Sequence, residues 1–218
     1  QELEVFLEAG LGGRMRCTVA DVRTELGSDH YPGGYVLEES WRIHPGRYLA
    51  SLAALAAAVG VDLHTGTPAK RIDRDGADRR VITAKGRIRS RAVLVATNGY
   101  TDRAAPYLQA RVMPVGSYII ATEPLSPELA ASISPRDRTF FDSKAFLYYW
   151  HINAERRLIF GGRASFWRTN VDRTAAILQR AMHQVHPQTA GLRIDFAWGG
   201  NVAFTFDRLP HLGEHEGI

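Results

Sequence analysis

The residues whose types and spacing bear most on chemistry are Arg91-Ala92-Val93-Leu94-Val95-Ala96-Thr97-Asn98-Gly99-Tyr100, an apolar run ending on a turn of small side chains. A turn without bulk lets the main chain approach a flat ring or a phosphate closely. The usual dinucleotide device is different: a G-x-G-x-x-G turn after a strand, whose bare amides and helix start hold a pyrophosphate. Gly10-Leu11-Gly12-Gly13-Arg14-Met15 lacks the last glycine of that pattern and follows no strand. Two readings stay open: another logic of cofactor binding, or the interior of a larger enzyme.

Other chemistries find less support. Ser117 and Ser165 have no Gly-x-Ser-x-Gly context, which a nucleophile elbow needs to present its hydroxyl on a sharp turn. Gly33-Gly34 and Gly161-Gly162 lack the lysine and hydroxyl residue of a phosphate loop. Among eight histidines, one His-x-x-x-His pair occurs, His211 and His215, and it reads as solvent-facing. His183 and His186, three apart in an expected helix, read as structural. The single Cys17 excludes an internal disulfide and every multi-cysteine metal site, so no metal is expected and a reducing cytoplasm is the expected compartment. The formal charge of +4 would draw an anionic cofactor, yet lysine and arginine are spread without a cluster. No element alternates basic and aromatic residues as a nucleic-acid groove would, so no nucleic-acid partner is expected. No apolar run approaches the roughly 18 residues of a membrane span, and the first residues show no secretory pattern, so no membrane partner is expected either.

The elements that must position these residues follow from periodicity. Residues 5–26 suggest a short helix and a turn. Residues 47–59 place Leu49, Leu52, Leu55 and Val59 at spacings of three and four, which predicts a helix with one apolar face, opened by Pro45 and closed by Gly60. Residues 61–64 read as a short strand and 69–72 as an extended piece. Residues 81–84 and 87–89 flank Lys85-Gly86 in a hairpin pattern. Residues 92–96 are apolar enough for an inner strand of a parallel sheet. The first half therefore predicts a doubly wound α/β layer carrying a β meander. In the second half, strands are predicted at 112–122, 146–151 and 158–162, with a helix over Val171–Val185 on their outer face, stopped by Pro187. A last strand pair is predicted at 193–197 and 202–206. This half reads as a mixed or antiparallel sheet with helices on one side, an α+β domain.

In order along the chain stand His44-Pro45 and the following helix, Gly66-Thr67-Pro68-Ala69-Lys70-Arg71-Ile72, Ala96-Thr97-Asn98-Gly99-Tyr100-Thr101, Pro114-Val115-Gly116, Thr122-Glu123-Pro124-Leu125, Gly161-Gly162-Arg163, and Trp198-Gly199-Gly200 leading to Leu209-Pro210-His211-Leu212-Gly213. None is specific alone, but in this order the chain resembles the flavin-dependent amine and amino-acid oxidases, the D-amino-acid oxidase-like family. The resemblance implies FAD as the cofactor and a small amine as the substrate. It implies a partial FAD-binding region over 1–110 and a substrate-domain sheet over 111–218 that returns toward the FAD region at its end. Ala69 matches the position whose backbone meets the adenine, while Ala96, Thr97 and Gly99 match the turn beside the ADP portion. Family enzymes open with the dinucleotide turn and finish with a glycine-rich strand and helix. With neither here, the expectation is an internal segment that retains no FAD by itself, is inactive alone, and self-associates through exposed edges.

Amine oxidation by such a cofactor asks the protein for an apolar wall, a few polar anchors and exclusion of water. Candidates for the wall are Tyr118, Tyr148, Tyr149, Trp150, Trp167 and Trp198. Strand alternation puts Tyr148 and Trp150 on one face and Tyr149 and His151 on the other, so one pair alone can look into a site. The expected substrate residues are Tyr148, Trp150, Trp198 and Arg163. In the glycine-oxidase-like pattern an arginine follows Trp-small-Gly-Leu and grips the substrate carboxylate, yet here Val202 occupies its place. That departure favours an amine, an N-substituted amino acid or a polyamine derivative over a plain α-amino acid, with Arg163 as a replacement fork. The alternatives are a noncatalytic ligand-binding or assembly domain, and a flavin dehydrogenase acting on a hydroxy acid.

Overall fold

The structure, a computed structural model, describes residues 14–38, 40–165 and 169–215, and of residues 14–17 and 163–165 the main chain alone. The chain forms two compact units, one of Gln1–Ile43 with Ser117–Gly199 and the other of His44–Gly116 with Gly200–Ile218.

In the first unit β1 (Arg14–Cys17) pairs antiparallel with β2 (Gly34–Leu37), and α1 (Val19–Leu26) lies between them in sequence. Helix α1 opens on a capping box: the Thr18 hydroxyl accepts from the Asp21 amide, and the Asp21 carboxylate accepts from the Thr18 amide at 2.8 Å. It closes on Gly27, whose φ of +61° and whose contact with the Ser132 carbonyl leave no room for a Cβ.

The main sheet has the strand order β10 (Ile194–Phe204), β6 (Met113–Pro124), β9 (Arg157–Ser165), β8 (Tyr149–Ile152), β7 (Phe140–Phe141). Strands β7, β8 and β9 pair antiparallel, with Phe140 opposite Trp150 and Trp150 opposite Phe160. Between β6 and β7 the short helix α4 (Pro127–Ile133) starts where the Ser126 hydroxyl accepts from the Leu129 amide. Helix α5 (Val171–Val185) matches its expected span. Its Asn170 cap accepts from the amides of Asp172 and Arg173, and its buried stripe of Thr174, Leu178, Ala181, Met182 and Val185 follows helical spacing. Ile120, Leu158, Phe160, Leu178 and Met182 reach 0% exposure in the resulting core. Each such side chain contributes about 1.5–3 kcal/mol of transfer free energy.

In the second unit α2 (Pro45–Ala58) forms where the apolar spacing placed it, with Pro45 in the first turn and the His44 ring nitrogen accepting from the Arg47 amide at 3.3 Å. None of its residues is buried. The meander is β3 (Ala69–Asp75), β4 (Asp78–Thr83) and β5 (Arg87–Ser90), all antiparallel, and the Lys85-Gly86 turn lies where the hairpin pattern put it. A single-turn helix, α3 (Pro106–Gln109), precedes β6.

The mixed α/β class with antiparallel sheets is as expected, but four of the expected strands differ. Residues 61–64 and 92–97 form no strand, and Leu94 is 84% exposed. An apolar run becomes a strand when a neighbour takes its amides and carbonyls, and the described residues supply none beside these two. The pair expected at 193–197 and 202–206 is instead one strand, β10. Its glycines mark a close approach rather than a break, since a Cβ on Gly199 would come within 2.6 Å of the Tyr118 ring.

Candidate functional site

Helix α5 covers one face of the main sheet and so decides what each strand offers on the other. On β8, Trp150 and Ile152 point into the covered core, 1% and 8% exposed, while Tyr149 and His151 point the opposite way. The Trp150 ring lies 5.5 Å from both Phe140 and Phe160 and meets His186 edge-on at 5.7 Å. Trp150 is therefore a core residue, correcting its expected place in a substrate wall. Tyr148, just before β8, is half-buried, with its ring against Phe160 at 5.4 Å and its amide donating to the buried carboxylate of Asp142 at 2.8 Å. It secures the 142–148 segment. The other pair, Tyr149 and His151, occupies the open face, because alternation defines two pairs and only the docked helix chooses between them.

Around Tyr149 the open face has one hydroxyl pair and an apolar surface. The Tyr149 and Ser117 hydroxyls are 3.2 Å apart, and the Tyr149 ring lies over Gly161, where any Cβ would collide with it. On β10, Gly199 meets the ring of buried Tyr118 on the covered side, so alternation turns Trp198 and Phe196 to the open face, 43% and 56% exposed. The Arg157 guanidinium, held by Asp195 at 2.6 Å and by the Thr122 carbonyl at 2.7 Å, sits 5.1 Å over Phe196. His151 is half-buried, and burial, reinforced by the positive charge of Arg42, lowers its pKa while the Asp137 carboxylate opposes the shift. Arg42 forks onto Asp137 through two bonds of 3.1 and 2.9 Å. This face can offer an apolar wall, two hydroxyls and an imidazole biased toward its neutral form. Tyr149 was an expected wall candidate and was legible as a pair with His151; Ser117, Phe196 and His151 were not among the expected substrate residues.

Trp198 thus lies on the open face, whereas Arg163 belongs to β9 with its side chain outside the described residues, as is all of Trp167. Val202 is a strand residue of β10, 44% exposed.

In the second unit Ala96, Thr97 and Gly99 share one turn. Ala96 and Thr97 are exposed, and the Thr97 hydroxyl is 2.7 Å from that of Thr101. Gly99 is buried, and a Cβ there would come within 2.8 Å of the Asn201 main chain. Asn98, at φ +50°, accepts from the amides of Gly99 and Ala203 at 2.6 and 2.9 Å, and the Tyr100 hydroxyl accepts from the Asn201 amide at 3.1 Å. The turn clasps the end of β10, and that contact by itself accounts for the glycine. Ala69 heads β3, half-buried, opposite Thr83 and beside a bulge. For a dinucleotide, the exposed edge at Ala96 and Thr97 suits contact with a flat group. The start of α2, with Pro45, Gly46 and an imidazole cap, is not preceded by the G-x-G-x-x-G turn that holds a pyrophosphate. Among the described residues no three metal-ligating side chains converge, and no helix is long and apolar enough to cross a membrane.

A family model described as FAD dependent oxidoreductase matches residues 2–218. The chain belongs to that family. It is 33% identical over 196 residues to a probable oxidoreductase, OrdL, of Haemophilus influenzae, covering 88% of this chain and 44% of that protein. It is 31% identical over 193 residues to the gamma-glutamylputrescine oxidoreductase of Escherichia coli, covering 88% of this chain and 45% of that protein. The chain thus spans less than half the length of these curated relatives. Among solved structures, glycine oxidase from Geobacillus kaustophilus superposes with a TM-score of 0.79 at 21% identity, over 97% of this chain and 57% of that one. L-proline dehydrogenase from P. horikoshii superposes with a TM-score of 0.80 at 18% identity, over 99% and 59%. At such identities the likeness to these two is one of fold.

Proposed function

We propose that this chain is the interior of a FAD-dependent enzyme that oxidises a primary or secondary amine, such as an N-substituted amino acid or a polyamine derivative. The observation that carries the reading is the open face of the main sheet. Trp198 and Phe196 supply an apolar surface, and the Ser117–Tyr149 hydroxyl pair supplies a polar anchor within it. When bound, FAD supplies the acceptor for the hydride. The chain's own residues orient the amine, keep it neutral by limiting water, and shape the wall it rests on. Val202 in place of a carboxylate-binding arginine supports a substrate without a carboxylate beside the reacting carbon. The name of one relative, a gamma-glutamylputrescine oxidoreductase, supports the same class.

Within this reading Ala69, Ala96, Thr97 and Gly99 serve the cofactor, and the unit of Gln1–Ile43 with Ser117–Gly199 serves the substrate. Arg163 is a substrate residue to be tested alongside Trp198. The single Cys17 supports a reducing cytoplasm as the compartment.

The 218-residue chain is expected to purify without flavin absorbance and to show no saturable FAD binding. The missing charge-assisted phosphate bonds cost about 1.5–3 kcal/mol each, which removes several orders of magnitude in affinity. The polypeptide extended to the length of its relatives is expected to bind FAD and to lose its flavin absorbance when an amine is added without oxygen. Loss with a hydroxy acid alone would indicate the hydroxy-acid dehydrogenase. Binding of amines with no loss of absorbance would indicate a ligand-binding domain.

A further inference from the structure

We infer that Gly161 is a positioning residue of the amine site: carrying no side chain, it seats the Tyr149 phenol across β9 against Ser117, and so sets how much bulk beside the nitrogen the site admits. The inference deepens the amine-oxidising reading and rests on it for the identity of the ligand. The substrates it favours are amines bearing a carbon substituent on nitrogen.

Register and clearance assign the role. Tyr149 on β8 stands directly opposite Gly161 on β9, and β9 lies between β8 and β6 in the sheet. The Tyr149 side chain crosses this neighbouring strand, because its hydroxyl ends 3.2 Å from that of Ser117 on β6. The crossing passes over Gly161, where a Cβ would collide with ring atoms Cε2 and Cζ and with the hydroxyl oxygen. Those are the three nearest atoms that such a Cβ would meet, so Tyr149 by itself accounts for the glycine. The backbone makes no such demand, since Gly161 is not among the glycines with positive φ.

Its neighbour Gly162 differs. There φ is +154°, and a Cβ would collide with the Tyr148 ring and crowd the Leu147 carbonyl. Successive strand positions face opposite sides of the sheet, so two consecutive glycines seat two consecutive tyrosines on its two faces. Gly162 serves the segment packed on the core, and Gly161 serves the open face.

The consequence for the site is one of height. A phenol standing off the sheet would fill the space above β9. Laid across β9 it becomes part of a floor, continued by Ser117 on β6 and by Phe196 and Trp198 on β10, the strand beyond. One O–H is engaged between the two hydroxyl oxygens, which leaves one donor and the remaining lone pairs free. A neutral amine can donate its N–H to those lone pairs.

The test uses the isotopically labelled 218-residue chain and nuclear magnetic resonance at the Gly161 Hα and the Tyr149 ring, with pentylamine and N-methylpentylamine as probes. In the wild-type chain a Gly161 Hα signal is expected to lie upfield of the usual glycine range, shifted by the ring above it. Tyr149→Phe should keep that shift and Tyr149→Leu abolish it. Both amines are expected to move the Tyr149 signals saturably. Gly161→Ala lifts the ring and is expected to weaken N-methylpentylamine about tenfold, as overpacking by one methyl group does, and pentylamine by less. Ser117→Ala tests the same seat without adding bulk: releasing the hydroxyl is expected to shrink the upfield shift and to lower the affinity for N-methylpentylamine relative to pentylamine. A merely structural glycine would lower the denaturation midpoint in Gly161→Ala and leave the ratio of the two affinities as it was. A ratio unchanged in both variants, or a Gly161 Hα at its usual position, would overturn the inference, while amine binding at Tyr149 would still uphold the reading beneath it. No amine effect at Tyr149 in the wild-type chain would overturn both.

Discussion

Two tryptophans of this chain have opposite roles. Trp150, 1% exposed, fills the layer between Phe140 and Phe160, so Trp150→Ala should cost about 3–5 kcal/mol in urea denaturation. Trp198, 43% exposed on the open face, should cost within about 1 kcal/mol on the same change while weakening amine binding. Equal losses at the two positions would contradict the assignment of faces. His186 gives a pH signature. Its ring is fully buried, neither nitrogen has a hydrogen-bond partner among the described residues, and burial, with some repulsion from His30, lowers its pKa to about 4. Between that value and the ordinary 6.5 the unfolded chain binds a proton that the folded chain refuses, so stability is complete above pH 6.5 and falls as pH drops toward 4. The contribution is on the order of 3 kcal/mol across that window. His186→Leu, compared with the parent by denaturation between pH 7 and 4, should flatten the slope; an unchanged slope would show that His186 does not supply it.

At the scale of elements, what could be read from sequence was whatever local chemistry decides. Helix α5 was legible to its ends because Asn170 caps it, its buried stripe keeps helical spacing, and Pro187 follows it. The same holds for α2 with His44, Pro45 and Gly60, and for the Lys85-Gly86 hairpin. Elements that depend on a distant neighbour were not legible. Residues 92–97 carry the apolarity of an inner strand and lack a ladder, while Gly199-Gly200 reads as a break until Tyr118 is seen against it. The choice between Tyr148/Trp150 and Tyr149/His151 belongs to this second kind, since it was made by α5 and not by β8. Two substitutions separate the kinds. Asn170→Ala should cost about 1 kcal/mol through the lost cap, read as a lower denaturation midpoint. Gly99→Ala puts a methyl group within 2.8 Å of the Asn201 main chain, which has no flexible end to yield, and should cost about 1–3 kcal/mol by the same measurement. A neutral Gly99→Ala would mean that the clasp between the 98–100 turn and β10 is loose, and would return the glycine to a ligand-facing role.

At the scale of the whole molecule, the apolar stripe of α2 is the surface most at odds with a free monomer. Leu49, Leu55 and Val59 are 67%, 61% and 72% exposed and Leu52 44%, all at spacings of three and four on one side of the helix. Soluble monomers seldom leave so continuous an apolar face in water. The extended run at 92–97 adds amides and carbonyls with no ladder beside them, the condition under which strands recruit one another. A second copy of this chain brings the same stripe and the same free edge, so the 218-residue chain is expected to self-associate in a concentration-dependent way. Sedimentation velocity over a range of concentrations measures this directly. Leu49→Glu combined with Leu55→Glu should shift the population toward monomer while circular dichroism keeps its helical signal, because no residue of α2 is buried and the change adds charge to a solvated face. A wild-type chain that stays monomeric throughout would show that the stripe is tolerated in water, whereas association that survives the double substitution would move the contact from α2 to the 92–97 edge.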